Sequence, residues 1–280
     1  MRYSPLIVIA LLFAVNSAAQ TALDSLAWEQ AVWNTTELGR GASVSYTQMR
    51  IFDCVESISV LKYPAGRFRT FVVHSPGDEA GTTDSLAKSK RARFAINGSY
   101  FDMEKIVPHT YFSLNHRLIS SSPEKEEYRS TGVLLQKRKY SRRFELCSYS
   151  SVYTDSLSKN HYLALASGPL LIKDGCKQHL DVERSFYTNR HPRSMIGWDN
   201  EGNIFMVVVD GRFPGLADGA TIMEMYVIAR LLGMTNAINL DGGGSSTLWT
   251  DITGVVNHPY DNHTFDHGGC RRVPNIIAVK

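Results

Sequence analysis

Beyond its first segment, the sequence has no apolar run that approaches the roughly 20 consecutive residues a transmembrane helix needs. The first segment is also shorter than that. Its apolar stretch, Pro5 to Val15, follows the positive start Met1-Arg2 and precedes the small residues Ser17-Ala18-Ala19, an order typical of a secretory signal peptide. We therefore predict a signal peptide at residues 1–19, a mature chain without a membrane anchor, and a secreted or periplasmic location.

The chain also lacks a strong excess of charge of one sign. It has 30 Lys and Arg against 27 Asp and Glu, a net charge of +3. Its basic cluster, Arg138 to Arg143, lies between two strand-like segments, where we predict a solvated hairpin tip. Nucleic-acid-binding domains concentrate positive charge on one face, so we predict no nucleic-acid partner.

Cysteine is scarce, with four residues at Cys54, Cys147, Cys176 and Cys270. None of them forms a Cys-x-x-Cys pair. Export would permit disulfides, and four cysteines allow three pairings that sequence cannot separate. The sequence therefore leaves open both free thiols and one or two bridges.

Strand-like patterns outnumber helical ones along the rest of the chain. Helices are predicted at Leu23–Val32, Asp84–Lys90 and Thr221–Leu232, the last ending at Gly233. Alternating or continuous apolar segments predict strands. These strands are Asp53–Lys62, Phe68–His74, Phe94–Asn97, Gly132–Leu135, Phe144–Tyr149, Tyr162–Ala166, Ser194–Asp199, Ile204–Asp210 and Asn275–Val279.

Two short polar turns indicate how some of these strands pair. Asp174-Gly175 is a strong hairpin signal, and the segment from Asp199 to Asn203 joins two apolar runs. Both turns favour antiparallel pairing, and no internal repeat or linker divides the chain. The sequence therefore predicts one α+β domain over residues 20–280, built on a long, mostly antiparallel or mixed β-sheet with a few packed helices.

The most informative segment is the loop from Asp241 to Thr247, in which Gly242, Gly243 and Gly244 follow a carboxylate and precede hydroxyl residues. Three successive glycines are entropically costly, and they are justified where the backbone adopts positive φ or lies against a ligand. Successive N–H groups of such a turn can converge on an anion. The loop is therefore either an anion-binding site beside a carboxylate or a glycine-rich turn capped by Asp241.

Other polar side chains also stand at predicted strand ends. Asn97-Gly98 follows one strand, Arg190 and Arg193 precede another, and Asp210-Gly211-Arg212 follows a third. Arginine is well suited to bidentate recognition of phosphate or carboxylate. Asn-Gly and Asp-Gly are also common turn dipeptides, so each segment taken alone has a structural explanation as well.

Glu224 has two interpretations. Thr221-Ile222-Met223-Glu224 matches a capping box, in which the glutamate bonds back to the amide of the capping threonine. A glutamate in the first helical turn could equally face a cleft beside Asp210 and Asp241 and act as an acid or base.

Metal ligands have weak support in the sequence. His258, His263, His267 and Cys270 are close together, but the intervening residues oppose a helix, so we predict a polar surface loop rather than a zinc site. A divalent cation held by Asp210 and Asp241 is compatible with the sequence and not required by it. We predict no metal site and no certain cofactor.

The order of the motifs resembles that of the phosphodiester glycosidase family. The resemblance extends from about Phe94 to Val279 and is strongest from Arg193 to Thr247. The segments that carry it are Asn97-Gly98-Ser99-Tyr100-Phe101, Ser167-Gly168-Pro169-Leu170-Leu171, Pro192-Arg193-Ser194 with Gly197, Asp210-Gly211-Arg212, Gly219-Ala220-Thr221 with Glu224, Asn239 to Thr247, and Arg272-Val273-Pro274-Asn275.

This resemblance implies hydrolysis of a sugar-1-phosphodiester at the anomeric carbon, with a glycosyl phosphate or phosphoglycan as substrate. Asp241, Glu224 and Asp210 are the candidate catalytic acids. Arg193 is assigned to the phosphate, while Asn97 and Arg212 would orient sugar hydroxyls or carboxylates. The groups that would assist at the phosphate are Gly242, Gly243, Gly244, Ser245 and Ser246. Two alternatives are a non-catalytic exported carbohydrate-binding protein and a phosphodiesterase that cleaves the P–O bond.

Overall fold

A computed structural model describes residues 22–150 and 154–280 of the chain. The signal peptide predicted at residues 1–19 lies outside these residues. Residues 22–30 form helix α1. The other helices of the described part are α2 (Thr83–Ser89), α3 (Thr154–Asn160), α4 (Ser185–Thr188) and α5 (Ile222–Leu231). None of these helices combines the length and the apolar character that crossing a membrane requires.

Strands make up most of the regular structure. The first eleven are β1 (Asn34–Gly39), β2 (Ala42–Ile51), β3 (Cys54–Pro64), β4 (Thr70–His74), β5 (Gly81–Thr82), β6 (Phe94–Asn97), β7 (Phe101–Asp102), β8 (Val107–Pro108), β9 (Phe112–Leu114), β10 (Arg117–Ser120) and β11 (Gly132–Gln136). The next eleven are β12 (Glu145–Ser148), β13 (Leu163–Ser167), β14 (Leu170–Lys173), β15 (Cys176–Lys177), β16 (Arg193–Trp198), β17 (Asn203–Val209), β18 (Asn236–Asn239), β19 (Leu248–Thr250), β20 (Gly254–Val255), β21 (Arg272–Val273) and β22 (Asn275–Val279).

These strands form three main sheets and two small ones. The longest sheet has eight strands in the order β1-β2-β3-β17-β16-β18-β14-β15. Two five-stranded sheets have the orders β10-β9-β13-β11-β12 and β20-β19-β6-β22-β4, and the two-stranded sheets pair β21 with β5 and β7 with β8. Neighbouring strands are antiparallel in all three main sheets. The predicted α+β class and the antiparallel pairing are confirmed.

The eight-stranded sheet is buried on both faces, which explains the continuous apolar run of β17. Ile204 and Met206 face a core cluster shared with the two five-stranded sheets. Phe205 and Val207 face the opposite cluster, which includes the buried side of α5. Because successive strand residues point to opposite faces, a strand covered on both sides loses the polar alternation of a surface strand.

Several local predictions agree with the structure. The β6 and β22 bounds match the predicted Phe94–Asn97 and Asn275–Val279, and α5 differs from its prediction by one residue at each end. The turns at Asp174-Gly175 and after Asp199 join the antiparallel pairs β14–β15 and β16–β17. The basic segment from 138 to 143 connects β11 with β12, which pair as a hairpin.

Other local predictions need correction. Helix α1 ends at residue 30, and residues 31–33 are not helical. The apolar pattern also did not reveal β1 or β2, whose residues are largely polar and partly exposed. All four cysteines lie in the described residues and are free thiols, with Cys176 exposed. The sequence left open free thiols or one or two disulfides, and the structure has free thiols.

Antiparallel pairing collects the functional candidates at one edge of the sheets. Arg193 at the start of β16 pairs with Val209 at the end of β17, and Met195 pairs with Asn239 at the end of β18. The end of β6 likewise lies beside the start of β22. Residues that follow β6, β17 and β18 are therefore brought together although they are far apart in sequence.

Candidate active site

Asn97 connects two sheets at this edge. Its side chain is fully buried. The Nδ2 group donates to the main-chain oxygen of Asp241 at 2.7 Å, and Oδ1 accepts from the Ser194 hydroxyl at 2.7 Å and from the Thr247 amide at 3.2 Å. Asn97 was predicted to orient sugar hydroxyls or carboxylates. The structure places it beneath the glycine loop, where it positions the backbone of Asp241.

The glycine loop packs directly on the chain that precedes β16. A Cβ atom on Gly242 would lie 2.6 Å from the main-chain oxygen of Pro192, so only glycine fits there. The Gly243 amide donates to that same oxygen at 2.8 Å, and the Gly242 amide donates to Asp241 Oδ1 at 2.9 Å. These two amides have protein acceptors. The Gly242 amide therefore holds the Asp241 side chain and the Gly243 amide holds the loop against Pro192. The anion cradle predicted for residues 242–244 stays a prediction.

An open cleft of about 200 Å³ lies over this loop. Its floor includes Asp241, Gly242 and Gly243. The cationic and imidazole groups on its walls are Arg129, His191, Arg193, Arg212 and Arg271. Two aromatic residues, Tyr100 and Phe186, complete the lining. One carboxylate surrounded by guanidinium groups is an arrangement suited to an anionic ligand.

Asp241 is half-buried at the floor of the cleft. Burial raises the pKa of its carboxyl group, while the Ser245 hydroxyl, the Arg129 charge, the Gly242 amide and the Arg271 charge oppose that increase. A carboxylate with a raised pKa is a stronger base than an exposed aspartate. Asp241 therefore has the position and the environment of a reactive group.

Arg193 is held firmly at the wall of the cleft. Only 2% of the residue is exposed. Its Nε donates to Ala220 O at 3.0 Å, and its Nη2 donates to Phe186 O at 2.7 Å and to Asn189 O at 3.0 Å. Burial is the main cause that lowers its pKa to about 10, so the group is charged at neutral pH. Carbonyl oxygens fix its orientation without neutralising its charge.

Arg212 presents its guanidinium from an unusual backbone conformation. Its φ is +68°, a left-handed conformation that is costly for a residue with a side chain and is concentrated at functional sites. The side chain is exposed, its Cζ lies 5.3 Å from the centre of the Tyr260 ring, and it pairs with no carboxylate in the described part of the chain. Its charge is therefore free to bind an anion.

His191 was not among the sequence candidates. Burial, followed by the charges of Arg193 and Arg212, lowers its pKa to about 4, so the imidazole is neutral at physiological pH. Its Nδ1 lies 3.5 Å from Arg212 Nη2. Because guanidinium groups only donate, a hydrogen bond between these two atoms requires Nδ1 as the acceptor and places the proton of the neutral imidazole on Nε2. His191 is a neutral donor between two cations, a property that its place beside Pro192 in the sequence did not reveal.

Arg129 and Arg271 were also missed, because both come from loops without a motif. Arg129 forms an ion pair with Glu126 and lies over the Tyr100 ring at 4.3 Å. Arg271 donates to the two carboxylate oxygens of Asp261 at 2.6 and 2.8 Å. The partners of these arginines could not be inferred from spacing along the chain.

Glu224 lies outside the lining of the cleft. The capping box is present, since Glu224 Oε2 accepts from the Thr221 amide at 2.8 Å and the Glu224 amide donates to the Thr221 hydroxyl at 3.2 Å. Its other carboxylate oxygen accepts from Arg190. Of its two interpretations, the structure favours the cap.

Asp210 is 1% exposed and also lies outside the lining of the cleft. Its oxygens accept from the Ser57 hydroxyl at 2.7 Å, from Asn257 Nδ2 at 2.9 Å, and from the amide and Nδ1 of His258 at 3.0 Å each. Both oxygens thus serve to join β3, β17 and the C-terminal loop. Ser245 and Ser246, predicted to assist at the phosphate, are buried residues of the glycine loop and lie outside the cleft lining.

The C-terminal histidine segment forms an aromatic cluster. The His258 ring stacks on Phe265 with centres 3.8 Å apart and on His267 at 4.6 Å. His267 Nδ1 contacts Asn257 O at 2.8 Å. Across residues 22–150 and 154–280, no three His, Cys, Asp or Glu side chains are grouped in a way that could hold a metal ion.

Comparisons with known proteins identify relatives over most of the chain. A family model for phosphodiester glycosidase matches residues 90–280. The N-acetylglucosamine-1-phosphodiester alpha-N-acetylglucosaminidase of Mus musculus is 26% identical over 283 residues, covering 90% of this chain and 52% of the mouse protein. The Homo sapiens protein of that name is 26% identical over 229 residues, covering 75% of this chain and 43% of the human protein.

Solved structures share the fold at lower identity. The zebrafish N-acetylglucosamine-1-phosphodiester alpha-N-acetylglucosaminidase catalytic domain, auto-inhibited by its pro-peptide, superposes with a TM-score of 0.65 at 17% identity and covers 89% of this chain and 87% of that domain. A hypothetical protein from Synechocystis superposes with a TM-score of 0.66 at 16% identity, covering 89% of this chain and 63% of the other.

Proposed function

The chain belongs to the phosphodiester glycosidase family, and on that premise we propose that it hydrolyses a sugar-1-phosphodiester at the anomeric carbon. The products are a free sugar and a phosphomonoester. The chain spans about half the length of the curated relatives it matches, so the proposal depends on the site itself. The observation that carries it is the presence of Asp241 in one cleft with Arg193 and Arg212, two guanidinium groups that no carboxylate neutralises in the described residues.

Arg193 and Arg212 supply the contacts for the phosphodiester. Arg212 can donate two parallel hydrogen bonds to phosphate oxygens. Arg193 already uses its Nε and Nη2 hydrogens on carbonyl oxygens, so it offers its charge and its Nη1 group. As the bond to the anomeric carbon breaks, negative charge grows on the departing phosphomonoester, and fixed donors stabilise it. The Nε2–H group of His191 adds a neutral donor. Because a phosphomonoester is a good leaving group, the reaction does not require a strong general acid.

Asp241 supplies the carboxylate for the sugar side of the reaction. Its proposed role is to activate a water molecule or to attack the anomeric carbon, whose transition state resembles an oxocarbenium ion. The raised pKa of its carboxyl group increases its basicity. The stereochemistry of the released sugar, followed by proton NMR, distinguishes the two roles, since attack by activated water inverts the anomeric centre and a covalent intermediate retains it.

The test is hydrolysis of N-acetylglucosamine-1-phosphate methyl diester in ¹⁸O-labelled water. We expect the label on the anomeric hydroxyl of the sugar and none in the phosphomonoester. Label in the phosphate would establish P–O cleavage and contradict the proposal. Binding of the sugar without any turnover would favour the non-catalytic carbohydrate-binding alternative.

We also propose that the protein acts outside the cytoplasm, as the segment at residues 1–19 suggests. The natural substrate would then be an extracytoplasmic glycan or cell-wall phosphodiester. N-terminal sequencing of the secreted or periplasmic protein should give a mature start at Gln20. Recovery of the uncleaved chain in the cytoplasm alone would contradict this location.

A further inference from the structure

The four arginines of the cleft fall into two classes according to their partners. Arg271 forms a two-bond ion pair with Asp261, and Arg129 forms an ion pair with Glu126. Arg193 and Arg212 pair with no carboxylate in the described part of the chain. Arg129 and Arg271 with their carboxylates present hydrogen-bond donors and acceptors together and carry little net charge. Arg193 and Arg212 present donors and a net positive charge.

Successive glycines of the loop border different classes. A Cβ atom on Gly242 would lie 3.7 Å from Arg193 Cδ, and a Cβ atom on Gly243 would lie 3.2 Å from Arg212 Nη2. A Cβ atom on Gly244 would instead overlap both Asp261 Oδ1 and Arg271 Nη2. The loop therefore runs from the unpaired arginines to the Arg271–Asp261 pair, and the third glycine is required for that pair to lie against it.

We propose that the two arginine–carboxylate pairs form the sugar subsite and that Arg193 and Arg212 form the phosphate subsite. A substrate bound over Asp241 then has its sugar towards the paired arginines and its phosphate towards Arg193 and Arg212. The inference rests on the proposed function and adds Arg129 and Arg271, which line the cleft, to the groups that recognise the substrate, together with their carboxylate partners Glu126 and Asp261, which lie outside its lining. None of these four was implicated by the sequence motifs.

The chemistry of the two ligand groups matches the two classes. Each sugar hydroxyl both donates and accepts, and a guanidinium fixed to a carboxylate offers both partners side by side. A phosphodiester only accepts and carries a negative charge, so it is recognised by guanidinium groups whose charge is not already neutralised. Placing the phosphate on the paired arginines would set it beside the carboxylates of Glu126 and Asp261, which would repel it.

Phe186 contacts one arginine of each class. Its ring centre is 4.9 Å from Arg193 Cζ and 6.0 Å from Arg129 Cζ. The ring is half-buried at the surface of the cleft. Phe186 therefore marks where an arginine of each class meets an aromatic ring in the cleft lining.

The experiment compares equilibrium binding of two probes, N-acetylglucosamine and inorganic phosphate, by titration calorimetry. Replacing Arg271 by Gln should weaken N-acetylglucosamine binding by about tenfold and change phosphate binding by less than about twofold. Arg212→Gln should show the reverse pattern. Asp261→Asn serves as a second sugar-side variant, because it retains the positive charge and removes an acceptor. Circular dichroism checks that each variant is folded.

Three outcomes would overturn the inference. The first is an unchanged affinity for N-acetylglucosamine in Arg271→Gln and Asp261→Asn. The second is a loss of phosphate affinity in these two variants that is as large as in Arg212→Gln. The third is a wild-type protein that binds neither probe. The titrations need no turnover. A protein that shows the reciprocal pattern but hydrolyses no phosphodiester contradicts the proposed function alone, whereas an active enzyme without the reciprocal pattern contradicts this inference alone.

Discussion

Asp241 is a carboxyl group whose surroundings favour its neutral form and whose proposed function needs its charged form. Burial raises its pKa, and Arg129, Arg271 and the Gly242 amide offset only part of that effect. The charged carboxylate is thus less stable in the folded protein than in the unfolded chain. Reactive groups in active sites commonly have such perturbed ionisation.

Replacing Asp241 by Asn should abolish turnover without destabilising the fold. A raised pKa means that the folded state holds its proton more tightly, so the wild-type unfolding free energy falls as pH rises through that pKa. The Asp241→Asn substitution removes this pH dependence, and the new amide oxygen can still accept a hydrogen bond from Gly242. We expect kcat to fall by at least about 10³-fold, with a melting temperature at pH 7 equal to or above that of wild type.

The matched control for this variant is Asp251→Asn, which alters an exposed carboxylate paired with Arg93. It should retain activity. Substantial turnover by Asp241→Asn would contradict a catalytic role for Asp241. A loss of activity accompanied by unfolding would indicate a structural role.

His191 should remain neutral throughout the range in which free histidine titrates. Its pKa is lowered from 6.5 to about 4, so protonation is more favourable in the unfolded chain. The unfolding free energy of the wild type should therefore decrease as pH falls from about 6.5 towards 4. His191→Gln should lessen this decrease. Proton NMR titration of the imidazole measures the pKa directly, and a midpoint near 6.5 would contradict the proposed environment.

Residues of the site differ in how far the sequence could predict them. The position of Asp241 in the cleft could be anticipated, because a carboxylate before three glycines is rare and chemically meaningful. Asn97 and Ser245 are buried, and the side of the loop on which a side chain lies depends on tertiary packing. Arg129 and Arg271 were not predictable, since their roles depend on loops that meet only in the folded chain.

At the scale of elements, the start of α5 supports the wall of the cleft that holds Arg193. The Thr221 hydroxyl caps this helix, and the preceding residue, Ala220, accepts the Nε hydrogen bond of Arg193. The local sequence signal for the cap was strong because a capping box needs only four adjacent residues. The connection to Arg193 was hidden, because the two residues belong to separate elements.

Replacing Thr221 by Ala should destabilise the protein by about 1 kcal/mol, the usual effect of losing a helix N-cap. In a chain of this size, the melting temperature should fall by about 2–4 °C. Thr221→Ser preserves the hydroxyl and is the control, with a melting temperature within about 1 °C of wild type. Equal destabilisation by Ala and Ser would indicate that the methyl group, rather than the cap, stabilises the helix.

Strand prediction succeeded where burial dominates and failed where it does not. The residues of β6 and β22 are buried throughout, so a continuous apolar pattern marks their limits. The residues of β1 are mostly exposed, and this strand is held by its backbone pairing with β2. Such pairing leaves little trace in the pattern of apolar side chains.

At the scale of the whole molecule, Arg190 ties the wall of the cleft to distant parts of the fold. Its guanidinium donates to Glu56 Oε1 at 2.9 Å, to Gly219 O at 2.9 Å and to Phe52 O at 3.0 Å, and it also bonds to Glu224. Burial is the main cause that raises the pKa of Glu56 to about 8. Arg190, the residue immediately before His191, therefore holds together the carboxylates of Glu56 and Glu224 and the backbone at Phe52 and Gly219.

Replacing Arg190 by Met should destabilise the protein by about 3–5 kcal/mol, because it leaves two carboxylates close together without their cation. Glu56 has a raised pKa of about 8, so its charge is unfavourable to the fold and grows as pH rises. Arg190 offsets that charge, and the loss of stability should be larger at about pH 8.5 than at about pH 6.

Adding Glu56→Gln to Arg190→Met should recover part of the stability, whereas Arg230→Met, on the exposed side of α5, should have little effect. Chemical denaturation at the two pH values measures these differences. A loss that is independent of pH and not relieved by Glu56→Gln would mean that Arg190 acts through packing rather than through charge.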